Sequence, residues 1–360
     1  MAALQRIIEL NRQRRRRSDV VYIHAYIREN FNPLEVLSDE AVVRKYRLTR
    51  PQIRELLQLV HPHLVRPTRR NFALTPAVQL LAALRFYTSG SFFEVLGDGL
   101  GMSKASISRS VTAVTQVLLQ LADRMAFPST PDDIARTTQG FHGVAGLPRV
   151  IGVIDGTLIP VARPSENEPI YLCRKGFPAL NVQVICDHRG VFTDIVARWP
   201  GSTHDAFVWA NSALCQVAEG GGFGGCWLLG DSGYPLRPYL LTPFQQPNTA
   251  AEARFNRAHI ATRAIVERAI GRWKQRFCCL SKTAGGVQLH PTKCCAVAVV
   301  TALLHNMAVR ANVPLPEEDM VLEEDVADLP HNDANPQGLA VRNQLVHHVS
   351  PLKHLPTPLP

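Results

Sequence analysis

No window of the chain approaches roughly eighteen uncharged apolar residues, the length needed to cross a bilayer, and the N-terminus, Met-Ala-Ala-Leu-Gln-Arg, lacks a signal peptide's apolar run. We therefore expect neither a membrane span nor secretion. Among the eight cysteines there is no C-x-x-C pair and no histidine at zinc-ligand spacing, and four of them form the adjacent pairs Cys278/Cys279 and Cys294/Cys295. Neighbouring cysteines do not readily bond each other, which argues against a disulfide framework or zinc site and for buried free thiols. His61 and His63 read as surface or core histidines rather than ligands. No internal repeat is visible.

What is present is a 360-residue chain, 46% hydrophobic, long enough for two domains and a tail. The net charge of +9 understates the basicity of the main part. Residues 314–360 hold eight acids against Arg342 and Lys353, which leaves +15 on residues 1–313. Such an excess favours a polyanionic partner, of which nucleic acid is the commonest. Arg12 and Arg14 to Arg17 form a basic run that reads as a nuclear localisation signal, an arm on phosphate, or a solvated helical end.

The hydrophobic spacing divides the chain. After a basic extension (1–39), residues 40–127 show helical periodicity. Within them Phe92, Phe93, Val95 and Leu96 suit a short helix, Gly97, Gly99 and Gly101 a turn, and Ser103 an N-cap. The next helix places Ile107, Val111, Val114, Leu118 and Leu121 on one face and leaves Lys104, Ser106, Ser108 and Arg109 exposed at its start. That arrangement suits a DNA-binding helix-turn-helix, although many helical hairpins share the spacing. Residues 128–148, with three prolines and three glycines, read as a linker. From 149 to 313 the pattern turns to strands: Val150–Ile154, Asn181–Cys186 and Val191–Ala197, a helix over Ala206–Leu214, a short strand Cys226–Leu229, and a long helix Ala250–Phe277. This order is that of an α/β, ribonuclease-H-like catalytic domain, a mixed sheet flanked by helices. The acidic, proline-bearing 314–360 reads as a disordered tail.

Asp155 ends the first predicted strand, followed by Gly156, and Asp231 stands between Gly230 and Gly233 after the buried Trp227-Leu228-Leu229. Glu267 follows on the long helix. Converging carboxylates repel one another unless cations neutralise them, and oxygen-only ligands select Mg²⁺ or Mn²⁺. Two such ions can clamp the attacking and leaving oxygens of a displacement at phosphorus. Asp205 reads either as a helix N-terminal acid or as a further metal ligand, and His204 as a local hydrogen-bonding residue. Residues 263, 267, 271 and 274 share a helical stripe, so Arg263 and Lys274 bracket Glu267 as phosphate contacts or as solvated ion-pair partners. Arg174 and Lys175 offer a second phosphate contact.

These residues resemble those of the PIF/Harbinger transposases and their domesticated relatives, the Harbinger transposase-derived nucleases. The resemblance rests on Val153-Ile154-Asp155-Gly156-Thr157, Arg174-Lys175-Gly176 with Asn181, Trp199-Pro200-Gly201-Ser202 leading to His204-Asp205, Leu228-Leu229-Gly230-Asp231-Ser232, Val266-Glu267-Arg268 and Leu303-Leu304-His305-Asn306. Together with Phe86 to Phe92 these cover roughly residues 70–310. The resemblance implies a DDE endonuclease with Asp155, Asp231 and Glu267 as catalytic metal ligands and Asp205 among the metal-binding acids. It further implies a nuclear protein, also expected in the cytoplasm, and a Myb/SANT-like partner; joining two DNA ends leads us to expect self-association. A catalytically silent DNA-binding adaptor is the main competing reading. A hydrolase of small phosphoesters or glycosides through two carboxylates is a further one.

Overall fold

The computed structural model describes residues 33–65, 73–164, 168–315, 333 and 335–347. The Arg12–Arg17 run and most of the acidic tail lie outside them.

The described residues open with the helices α1 (Pro33–Val36), α2 (Asp39–Tyr46), α3 (Arg50–Leu64), α4 (Pro76–Ser89), α5 (Phe93–Leu100) and α6 (Lys104–Leu119). Thr49, Thr75 and Ser103 cap α3, α4 and α6 by accepting a backbone N–H two or three residues into each helix. Helix α4 is the hub, buried almost all round from Gln79 to Thr88 except at Arg85. Against it α6 lays Ile107, Val111, Val114 and Leu118, and the Tyr87 hydroxyl meets Thr115 Oγ1 at 2.7 Å. Gly97 and Gly99, expected in a turn, lie inside α5; only Gly101, at φ 61°, makes the reversal before Ser103. A side chain at Gly97 would overlap the Met102 carbonyl, so its glycine serves close packing within the reversal.

The expected linker at 128–148 is instead a helix, α7 (Pro131–Ala145). Thr130 caps it, Pro131 stands at its first position, Asp132 and Asp133 complement the dipole, and Gly146 ends it in the left-handed region. Its glycines signal packing. A Cβ on Gly140 would overlap the His188 ring, and the buried Thr137, Phe141 and Ala145 keep a four-residue spacing that the glycines obscured.

A five-stranded mixed sheet follows, in the order β3-β2-β1-β4-β5, formed by β1 (Val150–Pro160), β2 (Ala179–Cys186), β3 (Phe192–Pro200), β4 (Trp227–Leu229) and β5 (Leu240–Leu241). The first three strands are antiparallel; β4 and β5 run parallel to β1. Val153, Val182, Val184 and Leu229 belong to the main core, under α11 (Ala250–Arg276), α12 (Pro291–Arg310) and α7. On the other face Ile151, Ile154, Ile185 and Leu228 pack with Trp209 and Leu214 from α9 (Asp205–Ala210) and α10 (Ala213–Glu219). A single expected helix over 206–214 is thus two, divided where Ser212 caps the second.

Helix α12 carries the main core across from the sheet to α6, and Gln52 of α3 donates to its Met307 carbonyl at 2.8 Å. By length and composition it is apolar enough to cross a membrane, contrary to the expectation that no segment is; 61% of its most apolar window is buried inside the protein, which accounts for that composition. The tail departs from expectation as well. Residues Pro336–Val346 form α13, capped by Asn335, which covers the edge strand β5: Arg342 donates to the Thr242 and Pro243 carbonyls and lies over the Phe244 ring, and Leu345 and Val346 join the core. The average acidity of the tail concealed an eleven-residue segment whose one charged residue is Arg342. All eight cysteines are free, six of them buried, as their spacing led us to expect.

Candidate active site

Asp155 lies in the middle of β1, not at a strand end. The ladder with β2 runs on through Asp155↔Val184, Gly156↔Gln183 and Thr157↔Val182 to Pro160. Because side chains alternate along a strand, Asp155 shares the face of Val153 and Val184, beneath α11, while Gly156 shares the opposite face with Gln183 and Asn181. The glycine makes no turn: a Cβ there would overlap both carboxylate oxygens of Asp205. Its bareness lets Asp205, the first residue of α9, settle against the strand. Asn181 donates through Nδ2 to Asp205 Oδ1 at 2.6 Å and to the Thr203 carbonyl at 2.8 Å, and Asp205 is buried.

On the α11 face one guanidinium joins two acids. Arg263 Nη2 is 2.9 Å from Asp155 Oδ2 and 2.9 Å from Glu267 Oε1. Asp155 is 14% exposed and Glu267 53%, so the bridge reaches from the floor of the site to its rim. The other oxygen of Asp155 accepts from the Gly156 N–H at 3.0 Å. Asp231, just past β4, accepts from the Gly233 N–H at 3.0 Å, which fixes the carboxylate in the turn beside β1.

The charges show which acids are neighbours. Burial pushes Asp155 up to about 7; Arg263 opposes the rise, and Asp231 and Asp205 add to it. Burial also raises Asp205, against the Asn181 hydrogen bond and the nearby Arg174, with Asp231 adding to the rise. Burial works against the charge of Arg263, but Asp155, Glu267 and Asp231 outweigh it and hold the group above its usual range. Tyr234 was not among the expected site residues, since nothing in its spacing marks it. It is 1% exposed, its hydroxyl has no protein partner, and burial together with Asp205, Asp155 and Asp231 holds it neutral, a donor beside three acids.

The expected cluster of Asp155, Asp205, Asp231 and Glu267 is thus gathered in one electrostatic neighbourhood, with Asp205 approaching from the opposite face of β1. Among the described residues no three acids, histidines or cysteines stand in metal-ligating geometry. Oxygen-only donors of this kind suit a hard cation, and the Arg263 guanidinium lies between two of them.

The expected phosphate contacts divide. Lys104 and Arg109 are exposed at the start of α6, with Ser106 between them accepting from Arg109 at 3.4 Å. Arg174 and Lys175 lie in the turn closed by Gly176 at φ 78°, Arg174 within electrostatic reach of Asp205. Arg263 is engaged with the acids. Lys274 is 7% exposed, on the side of α11 that faces the core, so the expectation that it holds phosphate does not stand. Lys274 keeps to the stripe of 263 and 267 but is buried at its end, next to the fully buried Trp273. The exposed cations of this helix are Arg257, Arg268 and Arg272, the last two one and five residues after Glu267.

A family described as DDE superfamily endonuclease matches residues 154–306, a span that contains all four acids. The protein named "Putative nuclease HARBI1" in Mus musculus is 41% identical over 276 residues, 76% of this chain and 79% of the relative; the Homo sapiens protein is 38% identical over the same shares. The chain belongs to the Harbinger transposase-derived nuclease family. Protein ALP1-like of Arabidopsis thaliana is a more remote relative, 28% identical over 64% of this chain and 60% of its own length. No solved structure matches the chain.

Proposed function

We propose that this member of the family is a divalent-metal-dependent DNA nuclease whose catalytic part is ribonuclease-H-like and whose α5–α6 pair is a DNA-binding helix-turn-helix. The observation that carries the reading is the bridge from Arg263 to Asp155 and Glu267 with Asp231 alongside: buried and rim carboxylates short of positive charge. A sheet whose three antiparallel strands pass into parallel ones, with one acid on its central strand and another on the long helix covering it, supports the fold assignment.

Asp155, Asp231 and Glu267 would hold Mg²⁺ or Mn²⁺, with Asp205 as a fourth acid. Such ions supply charge stabilisation at phosphorus and an activated oxygen nucleophile. The chain itself fixes Asp155 through the β1–β2 ladder, Asp205 through Asn181, and Asp231 through its own turn, so the acids are oriented before substrate arrives. Arg268 and Arg272 beside Glu267 hold the DNA backbone, and Lys104, Ser106 and Arg109 engage the duplex elsewhere.

Supercoiled plasmid should be nicked by the purified protein in Mg²⁺ or Mn²⁺ and not in EDTA, with the rate falling at least a thousandfold in folded Asp155→Asn. DNA bound but never cut in either metal would favour the silent adaptor. For binding, Arg268→Ala and Arg272→Ala should each flatten the slope of log affinity against log salt by about one. Lys274→Ala should leave that slope unchanged and lower the melting temperature instead; a flattened slope would return Lys274 to the DNA interface.

A further inference from the structure

The remaining question at this site is what a guanidinium is doing between two acids that are read as metal ligands. An arginine placed only to hold DNA phosphate would point away from the carboxylates. Arg263 instead places a single nitrogen 2.9 Å from Asp155 Oδ2 and 2.9 Å from Glu267 Oε1, and its side chain is only 19% exposed. Its Nε is buried without a hydrogen-bond partner, so the group is committed to the acids through its tip and unsatisfied along its stem. Asp155 accepts a hydrogen bond from that nitrogen and Glu267 pairs with it as a charge, so one cationic group compensates both acids.

We propose that Arg263 is the resident counter-ion of the metal-free site and competes directly with the divalent cation, so that metal enters only as the guanidinium leaves Asp155 and Glu267. The inference rests on the reading of these acids as metal ligands. It gives Arg263 a role distinct from phosphate binding, though not one that excludes it: four residues before Glu267 and at the edge of the site, the released guanidinium is free to pair with an incoming phosphate. Without the counter-ion the metal-free site would leave Asp155 and Glu267 uncompensated beside Asp231. The arginine thus stabilises the empty site at the expense of metal affinity.

The experiment is a titration of Mn²⁺ into DNA-free protein, followed by the electron paramagnetic resonance of free Mn²⁺, for wild type, Arg263→Gln, Arg263→Lys and Asp155→Asn. Thermal melts with and without Mn²⁺ would accompany it. Arg263→Gln should bind Mn²⁺ about tenfold more tightly than wild type and gain more in melting temperature on adding it, because neither displacement nor repulsion opposes the ion. Arg263→Lys, which keeps the charge without the planar fork, should fall between the two. Equal or weaker Mn²⁺ binding by folded Arg263→Gln and Arg263→Lys would overturn the competition while leaving the metal site standing. If Asp155→Asn binds Mn²⁺ as wild type does, the metal reading itself fails and takes this inference with it.

Discussion

Gly156→Ala is expected to destabilise the protein by about 3 kcal/mol and to dislodge Asp205. The methyl group would overlap both oxygens of a carboxylate that Asn181 holds at 2.6 Å. Overpacking of this kind costs about 1–3 kcal/mol, and loosening a buried, charge-assisted hydrogen bond adds roughly 1.5–3 kcal/mol, partly offset by relaxation. The position is in extended β structure, so the backbone itself tolerates alanine and the effect isolates the contact. Denaturant melts of Gly156→Ala, Asp205→Ala and the double variant would check it. If the clash is the cause, alanine at 156 costs little once Asp205 is shortened, giving a coupling above about 1 kcal/mol. Strict additivity would place the cost of alanine elsewhere.

The second large effect concerns pH. In the metal-free protein the Asp155 carboxyl lies at about 7, against about 3.9 in an unfolded chain. A raised acid binds its proton more tightly when folded. Its contribution is therefore most favourable below about pH 4, falls as pH rises from there to about 7, and is flat above. The ceiling on this loss is about 4 kcal/mol, from three pK units at about 1.4 kcal/mol each. Relative to wild type, Asp155→Asn should thus gain about 2–3 kcal/mol between pH 5 and pH 8, the part of that ceiling lying in this window, superimposed on a constant offset for the altered contact with Arg263. Denaturant midpoints at the two pH values without divalent metal give the comparison. A wild-type-minus-variant difference that does not change with pH would show that Asp155 does not titrate in this range.

Asp155 and Asp231 stood out in the sequence because a carboxylate beside glycine in an apolar strand context has little other local use, whereas Glu267 and Asp205 stood out by their order along the chain. The reason for Gly156 was not. Sequence placed it just past a strand end, whereas the glycine lies within the strand and makes room for a residue 49 positions later, a contact only tertiary structure reveals. The same holds for Gly140 and His188, which made a helix look like a linker. Lys274 was misplaced because a helical stripe does not encode what packs over it: Lys274 stays within about 20° of Glu267 around the helix, yet it is buried in the last turn while Glu267 is exposed. Arg263 was correctly placed beside Glu267, but its choice of carboxylates over solvent follows from burial, which spacing does not encode. Helix α13 was hidden by averaging, since seven acids between 317 and 328 dominate the composition of a tail whose later segment, Pro336–Val346, carries Arg342 as its one charged residue.

That Asp155, Asp231 and Glu267 together form a divalent-metal site is the claim on which the nuclease reading depends. The most direct measurement is an anomalous difference map from crystals of the wild-type protein soaked in Mn²⁺. The account predicts a strong peak among these three carboxylates, with the Arg263 guanidinium withdrawn from Asp155 and Glu267. No peak there at saturating Mn²⁺, with Arg263 still bridging the two acids, would contradict it.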